Sequence, residues 1–510
     1  MGQALIISIG DAILSHSRIV GDQPGRTPEP LSDNAPHLQR VLGFSGLTFF
    51  LIAALVNLNS VPVVAGMGPA ALLFWVFGFI LFFIPQGIAV IELSRRFPGE
   101  GGIYNWSKLA FGDFHGFISG WCYWTNNIFY VPTLLFYIVG FAAFIGGDTT
   151  RGWGESPLFM ASISLVLLCL ITWLNILGLK FGAWVQTIGA TGAFITTGIL
   201  ITLGMIAAGR HGEANPLTSA SVFSVLADWR TLSLLSVVCL NYTGLELGSV
   251  MGDEIKEPRK TIPRAALVAG ISTVVLYLVA TYSLQISVPA AQIGVIDGIL
   301  QAVKVSTTDL NLPFLLPAIA ILMSLNAAGN TSAWLAGAAR IPFVIGIDRY
   351  LPAAFGRIHP KYQTPHVSLV AQAFASGLFI VISAVGATVH DMYMILLQTT
   401  VILQLIPYLY MFAGLIVIRR NPQRFRSADG FFSSPLVCYV AGAFGFVVTA
   451  LGVVLAFVPS NAVNDAWNFE LKTVLGTLSF LIPAVILFRV KSRQRRLADM
   501  IPQGVEVAPD

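Results

Sequence analysis

Two short polar stretches interrupt otherwise apolar segments of the chain, and their residues could hold a small charged solute. The first stretch is made up of Asn57, Leu58, Asn59, Ser60 and Val61, and Pro62 follows it directly. Proline cannot donate a backbone hydrogen bond and clashes with the preceding turn, so a helix is predicted to unwind here. Amides freed at such a break attract anionic groups and freed carbonyls attract cations, which suits a zwitterion.

The second stretch precedes the one ionisable side chain that we find deep inside an apolar segment. It is made up of Asn241, Tyr242, Thr243, Gly244 and Leu245, and Glu246 comes next. A carboxylate in such a place is costly unless it faces a partner or a cavity. We therefore predict that Glu246 is functional and is the group that responds to protons.

Some of these polar residues also have a purely structural interpretation. Small polar side chains bond neighbouring membrane helices together, and Asn57, Asn59 and Ser60 taken alone suit that role. In another apolar segment, Asn126 and Tyr130 either line a solute pathway or belong to an interfacial aromatic belt. The residues alone leave both alternatives open.

The composition indicates the class of protein that must position these residues. Apolar residues make up 55% of the 510 residues and charged residues only 11%, against roughly 25% charged in a soluble protein. So few charges cannot cover a water-exposed surface, so we predict an all-α integral membrane protein. The net charge of +4 is too small for a surface that follows nucleic-acid phosphates.

Windows of about 20 apolar residues predict the membrane-spanning helices. Twelve such windows occur, near 41–66, 69–93, 114–147, 157–178, 183–209, 232–252, 263–287, 313–346, 366–386, 391–418, 435–459 and 471–490. They are continuously apolar and do not alternate, which indicates helices and not a barrel. Most Lys and Arg residues fall on one side, which predicts that both termini are cytoplasmic in the cell membrane.

The two polar stretches lie in the first and sixth predicted spans, five helices apart. This separation is typical of two inverted five-helix repeats, in which the solute sits at the repeat interface near the bilayer midplane. We predict repeats at 41–209 and 232–418 that form a ten-helix transport core over 41–418. Two peripheral helices over 435–490, a flexible cytosolic lead-in over 1–40 and a cytosolic basic tail over 491–510 complete the predicted organisation.

Several motifs make the sequence similar to a known family of transporters. Pro98, Gly101, Gly102 and Tyr104 form a P-x-x-G-G-x-Y pattern after the second span. Glu254, Pro258, Lys260, Pro263 and Ala265 form an E-x-x-x-P-x-K-x-x-P-x-A pattern after the sixth span. With these patterns at the expected spans, the chain resembles the amino acid–polyamine–organocation superfamily of secondary transporters, which includes amino acid permeases and antiporters.

The resemblance implies a LeuT-type fold, a 5+5 inverted repeat followed by two peripheral helices. It also implies that residues 57–61 and 241–245 bind the substrate, with backbone amides of the first break holding its carboxylate and carbonyls of both breaks meeting its ammonium. Trp334 matches a tryptophan that lines the substrate pathway, and Glu246 matches a glutamate just after the sixth-span break. The family's usual glycine-rich first break is absent, and larger side chains hinder close approach to its amides.

We therefore expect a secondary active transporter that moves amino acids by alternating access, through uptake or exchange, with proton linkage left open. The alternatives are a polyamine or organocation transporter, a glutamate/γ-aminobutyrate-type antiporter and a non-transporting solute sensor. The expected partners are a small-molecule substrate and membrane lipid. No metal, no cofactor and no enzymatic activity are expected, because the sequence contains neither a nucleotide loop nor a nucleophile–base constellation, and its four cysteines lie inside predicted spans.

Overall fold

The computed structural model describes residues 40–146, 152–216, 235–294, 298–384, 389–425, 430–458 and 466–500, together with residues 38, 150, 218 and 232. Within these ranges the chain is helical, and β pairing is confined to one isolated bridge between Leu42 and Ile255. The predicted all-α class is therefore confirmed. Most of the predicted lead-in 1–40 and the last part of the predicted tail, 501–510, lie outside the described residues.

We number the α-helices in chain order. They are α1 (Phe44–Leu55), α2 (Val61–Ala65), α3 (Ala70–Gly78), α4 (Ile84–Arg96), α5 (Gly102–Phe111), α6 (Asp113–Ala142), α7 (Pro157–Ile176), α8 (Leu179–His211), α9 (Leu235–Asn241), α10 (Leu247–Val250), α11 (Pro258–Ser287), α12 (Gly298–Leu310), α13 (Leu315–Ala338), α14 (Arg340–Ile347), α15 (His366–Ser383), α16 (Val389–Arg420), α17 (Pro435–Leu455) and α18 (Ala466–Met500). A π-helical turn, Phe79–Phe83, joins α3 to α4.

Eleven helical stretches of the described residues are long and apolar enough to cross a membrane. They correspond to all the predicted spans except the sixth. That span is divided between α9 and α10, neither of which is long enough to cross alone. The eleven stretches and this divided helix together agree with the prediction of twelve spans.

Some helix boundaries differ from those predicted from hydropathy. α6 ends at Ala142 rather than 147, and α11 begins at Pro258 rather than 263. Proline is favoured in the first turn of a helix, where its missing N–H costs nothing. α18 continues to Met500, into the predicted tail, because the Lys and Arg residues that end the apolar segment are good helix formers.

Both predicted helix breaks are present. α1 ends at Leu55, a 3-10 turn spans Leu58–Ser60, and α2 starts at Val61, so that Pro62 lies in the first turn of the second half-helix. In the sixth span the backbone leaves the helix after Asn241. Gly244 there has a φ of +127°, a backbone conformation that residues other than glycine rarely adopt.

Burial separates the helices of the core from those at the periphery. In the first span, 94% of the apolar window is buried inside the protein, whereas only 17% of the window of the last span is buried. α1 packs against α8, α11 and α13. The first break is therefore enclosed by other helices, while the apolar side chains of α18 are left facing outward, as expected for a helix in contact with lipid.

Candidate substrate site at the two broken helices

The two helix breaks are in direct contact. The Ser60 hydroxyl lies 2.8 Å from the backbone carbonyl of Asn57 and also contacts the Asn241 carboxamide oxygen. Tyr277 of α11 adds a second link: its hydroxyl donates to the carbonyl of Leu55 at 2.6 Å, accepts from the amide N–H of Asn57 at 3.0 Å and lies 3.3 Å from the carbonyl of Asn241. Sequence reasoning did not identify Tyr277.

The carbonyl groups at the end of α1 accept hydrogen bonds from side chains of α13. Asn330 donates to Ala53 and Ala54 at 2.8 and 2.9 Å, and the Trp334 indole N–H donates to Ala54 at 2.9 Å. Asn326 donates to Val56 at 3.2 Å. A carbonyl oxygen has two lone pairs, so that of Ala54 is fully used, whereas those of Ala53 and Val56 can each accept from a second donor such as an ammonium group.

Asn57 stands in the first break, where the family usually has glycine, and its side chain fills space that a glycine would leave open. Its oxygen accepts from the amide N–H of Asn59 at 3.3 Å, so the side chain caps the 3-10 turn. Its Nδ2 donates to the Tyr130 hydroxyl at 3.0 Å, which in turn donates to Asn330 at 3.1 Å. Of the five amides predicted for the substrate carboxylate, four are thus already bonded: that of Asn57 to Tyr277, and those of Asn59, Ser60 and Val61 within the break.

A small cavity of about 20 Å³ lies where these elements meet. Among the residues predicted from the sequence, its lining includes Asn57, Ser60, Asn126, Tyr130, Asn241, Thr243 and Trp334. Its other lining residues are Ala54, Leu55, Thr133, Tyr137, Leu240, Thr400 and Gln404. A volume that holds little more than one water molecule means that the lining must move apart to admit an organic solute.

Helical spacing accounts for the lining residues of α6 that sequence reasoning missed. Asn126, Tyr130, Thr133 and Tyr137 follow one another at intervals of three or four residues, which places them on one face of α6. Asn126 and Tyr130 had been singled out, and extending their face by two turns would have found the others. The structure places this face on the cavity.

The remaining predicted binding residues are buried outside the cavity lining. These are Leu58, Asn59, Val61, Tyr242, Gly244, Leu245 and Glu246. Tyr242 belongs to an aromatic cluster: it makes an edge contact with Trp75 and packs against Phe83, and its hydroxyl donates to the carbonyl of Trp75 at 3.0 Å. This geometry gives Tyr242 a packing role in the arrangement seen here.

Glu246 is fully buried and is held by hydrogen-bond donors from two other helices, α4 and α6, and from its own break. Tyr123 donates to Oε1 at 2.8 Å, and Gln86 Nε2 and the amide N–H of Gly244 each donate to Oε2 at 3.1 Å. The Tyr408 hydroxyl accepts from the same Gly244 N–H at 3.0 Å. Glu246 forms no ion pair with any Lys, Arg or His among the described residues.

A second buried charge cluster lies where α10 leads into α11. Arg340 NH2 donates to both carboxylate oxygens of Glu254, at 2.9 and 3.1 Å, and both side chains are almost inaccessible. Glu100 lies beside them and accepts from the backbone N–H of Asp253 at 3.1 Å. Burial, together with the charges of Glu254 and Asp253, raises the pKa of Glu100 well above its ordinary value, and Arg340 opposes this effect.

Several proteins are similar to this chain in sequence or in fold. A probable agmatine/putrescine antiporter, AguD, of Lactococcus lactis is 22% identical over 88% of this chain and 94% of its own length. The serine/threonine exchanger SteT of Bacillus subtilis is 25% identical over 62% of this chain and 70% of its own. The crystal structure of MhsT in complex with L-phenylalanine matches with a TM-score of 0.59 at 15% identity, covering 82% of this chain and 99% of that chain.

The likeness to MhsT confirms the predicted LeuT-type fold, and the similarity to exchangers and antiporters indicates the same general activity. The model of a single family, amino acid permease, matches residues 42–499 and so covers nearly all the predicted spans. The chain therefore belongs to the amino acid permease family of the amino acid–polyamine–organocation superfamily, and it is a multi-pass membrane protein of the secondary-transporter class.

Proposed function

We propose that this transporter carries neutral amino acids by alternating access, through uptake or exchange, and that they bind in the cavity between the two broken helices. The observation that carries the proposal is the composition of the cavity lining. Polar side chains predominate in it, and among the described residues no Asp, Glu, Lys or Arg contributes to it. The carbonyl groups of Ala53 and Val56 beside this lining suit the ammonium common to all amino acids, and amides of the first break would meet the carboxylate once the lining moves apart.

The uncharged lining favours neutral substrates over the alternatives. A cationic or anionic side chain would lose its water without gaining an opposite charge, which is costly. Glu246 is the nearest carboxylate in sequence to the lining, but Tyr123, Gln86 and Gly244 already donate to it. The site is in this respect better suited to substrates such as those named for SteT than to the diamines named for AguD.

We further propose that Glu246 couples its protonation to the state of the sixth-span break. A proton on Oε2 would turn an acceptor of two hydrogen bonds into a donor. The Gly244 N–H would then lose one acceptor, and Gln86 would have to turn. Protonation would therefore alter the contacts between the break and the helices around it.

The orientation in the membrane is part of the same proposal. The Lys and Arg residues gather in alternate loops and in the segment after the last span. This asymmetry supports a cytoplasmic location of both termini in the cell membrane.

A ligand screen on the purified transporter tests the substrate class. A ligand present at 100 times its Kd stabilises the native state by about 2.7 kcal/mol. We expect neutral amino acids to raise the thermal unfolding midpoint, and agmatine, putrescine and glutamate to leave it unchanged. A midpoint raised by a diamine alone would refute the proposal and favour an organocation transporter.

The variant Glu246→Gln tests the coupling role. Glutamine keeps the shape and one acceptor oxygen but cannot change its charge, so uptake should become independent of pH. Initial uptake rates in reconstituted vesicles between pH 5 and 8 measure this, with Glu257→Gln as the control because Glu257 is exposed and pairs with Lys260 at the surface. An unchanged pH profile in Glu246→Gln would exclude the coupling role.

A further inference from the structure

Three polar atoms on the cavity lining have no hydrogen-bond partner among the described residues. They are Asn126 Oδ1, Thr400 Oγ1 and Gln404 Nε2. Their side chains are 1%, 1% and 0% exposed, respectively. Because a buried polar atom without a partner is costly, these atoms need hydrogen bonds from water in the cavity or from a bound solute.

The three atoms belong to one group of side chains on α6 and α16. Asn126 Nδ2 donates to Gln404 Oε1 at 2.6 Å, which holds the two amides side by side. Thr400 precedes Gln404 by four residues in α16 and so lies on the same face of that helix. The other polar side chains of the lining that are described above, such as Asn57 and Ser60, already have partners in the two breaks.

The pattern of donors and acceptors in this group is specific. Asn126 offers an acceptor, Gln404 offers an NH₂ donor, and Thr400 offers a hydroxyl that can donate or accept. Turning both amides by 180° exchanges the roles of Asn126 and Gln404 but again leaves one donor and one acceptor. A ligand that matches the group must therefore both donate and accept hydrogen bonds.

Building on the proposed function, we infer that this group forms a side-chain subsite for amino acids with a terminal carboxamide. The ligand's NH₂ would donate to Asn126 Oδ1 and to Thr400 Oγ1, and its carbonyl oxygen would accept from Gln404 Nε2. By its count of donors and acceptors, a single carboxamide can satisfy all three atoms. Asparagine and glutamine carry this group.

Other side chains satisfy the subsite less well. An ammonium or guanidinium group only donates and would leave the Gln404 NH₂ facing a cation. A carboxylate only accepts and would face the oxygen of Asn126. An aliphatic side chain would leave all three atoms without partners. A site built to form hydrogen bonds with a polar group strongly rejects analogues that lack that group.

The position of the subsite also suits an amino acid that binds at the breaks. Tyr130 accepts a hydrogen bond from Asn57 of the first break. Asn126 lies four residues before Tyr130 on α6, about 6 Å along the axis. An amino acid with its main-chain groups near Asn57 would therefore place a side-chain amide of moderate length beside Asn126 and Gln404.

Competition experiments in reconstituted vesicles test this inference. Vesicles preloaded with unlabelled alanine take up labelled alanine in exchange, and glutamine, asparagine, glutamate, lysine and leucine are added outside as competitors. We expect the two amides to compete at concentrations at least tenfold below those of the other three. In Gln404→Leu the advantage of glutamine over leucine should fall about tenfold or more, since one of its hydrogen bonds is lost.

Gln372→Leu is the matched control. Gln372 is as deeply buried as Gln404 and also has unpartnered amide atoms among the described residues, but it is not part of the cavity lining. Its replacement should leave the ranking of competitors unchanged. If Gln404→Leu does not fold, the ranking of the competitors on the unmodified transporter still tests the carboxamide subsite.

The outcomes separate this inference from the proposed function. If alanine is exchanged but glutamine and asparagine compete no better than leucine, the carboxamide subsite is refuted. The proposal of neutral amino acid transport is not affected by this result. The subsite is also refuted if Gln404→Leu and Gln372→Leu give the same ranking of competitors. Vesicles in which no amino acid is exchanged would overturn the proposed function and the inference together.

Discussion

The buried ion pair between Arg340 and Glu254 allows a quantitative prediction about stability. Arg340→Met removes the guanidinium but keeps a long apolar side chain. The carboxylate of Glu254 then stays buried without its partner, next to Glu100 and Asp253. This change isolates the loss of charge from the loss of volume.

The burial of the pair sets the size of the effect. Arg340 and Glu254 are 1% and 2% exposed, and breaking such a buried pair costs about 3–5 kcal/mol. Over a chain of 510 residues, an unfolding entropy of about 2.1 cal/mol/K per residue converts this cost to a drop of roughly 3–5 °C in the unfolding midpoint. The exposed pair Lys260–Glu257, at 72% and 71%, serves as control. Lys260→Met should leave the midpoint nearly unchanged, because solvent screens an exposed pair.

Thermal unfolding of the purified variants in detergent measures these differences. The double variant Arg340→Met/Glu254→Leu removes both charges, and replacing a buried pair by apolar residues is often neutral. We therefore expect its midpoint to return close to that of the unmodified chain. Equal midpoints for Arg340→Met and Lys260→Met, or a double variant less stable than Arg340→Met, would refute the assignment of a buried charge pair.

Two further predictions concern the charge cluster and the link between the breaks. Because the pKa of Glu100 is raised above its ordinary value of 4.5, the folded chain keeps a proton that the unfolded chain releases. The free energy of unfolding should therefore fall as pH rises from about 4.5 through the raised pKa, and Glu100→Gln should flatten this fall. Parallel pH profiles of the unfolding midpoint for the variant and the unmodified chain would contradict the prediction. Tyr277→Phe deletes the hydroxyl that bonds Leu55 and Asn57, and losing buried partners of this kind costs about 1–3 kcal/mol. Substrate affinity, measured by thermal shift, should fall about tenfold, whereas Tyr282→Phe on the same helix should leave it unchanged; equal affinities would remove Tyr277 from the site.

Hydropathy and composition were sufficient to predict the helical architecture. Membrane spans are long and apolar, so the twelve windows could be found one at a time from local sequence. Pro62 and Gly244 marked the two breaks because each residue has a backbone property that regular helix does not accommodate well. The boundaries of α11 and α18 were less accurate, because helices continue through charged residues where hydropathy falls.

The side-chain partners of the breaks could not be predicted in the same way. Tyr277 and Asn330 bond backbone groups more than 200 positions away in the sequence. No local pattern distinguishes these residues from other polar residues in apolar helices. The pair of Glu254 and Arg340 was likewise visible only once α10 and α14 were placed together. Local sequence therefore predicted where the chain breaks, while tertiary packing decides which side chains stabilise each break.

The cavity-lining residues of α6 show how far the sequence alone can identify such a face. Asn126 and Tyr130 were left undecided between a pathway and an interfacial belt. Their spacing continues to Thr133 and Tyr137, and all four line the cavity. A polar face that extends over three turns of a membrane helix is more informative than any single polar residue on it.

Counterflow in reconstituted vesicles tests the central claim most directly. Vesicles loaded with a neutral amino acid should accumulate the same labelled amino acid from outside. Asn241→Leu, which removes the contact between Asn241 and Ser60 at the junction of the breaks, should abolish this accumulation, while Gln372→Leu should retain it. Absence of counterflow for every neutral amino acid, or full counterflow in Asn241→Leu, would contradict a substrate site between the two broken helices.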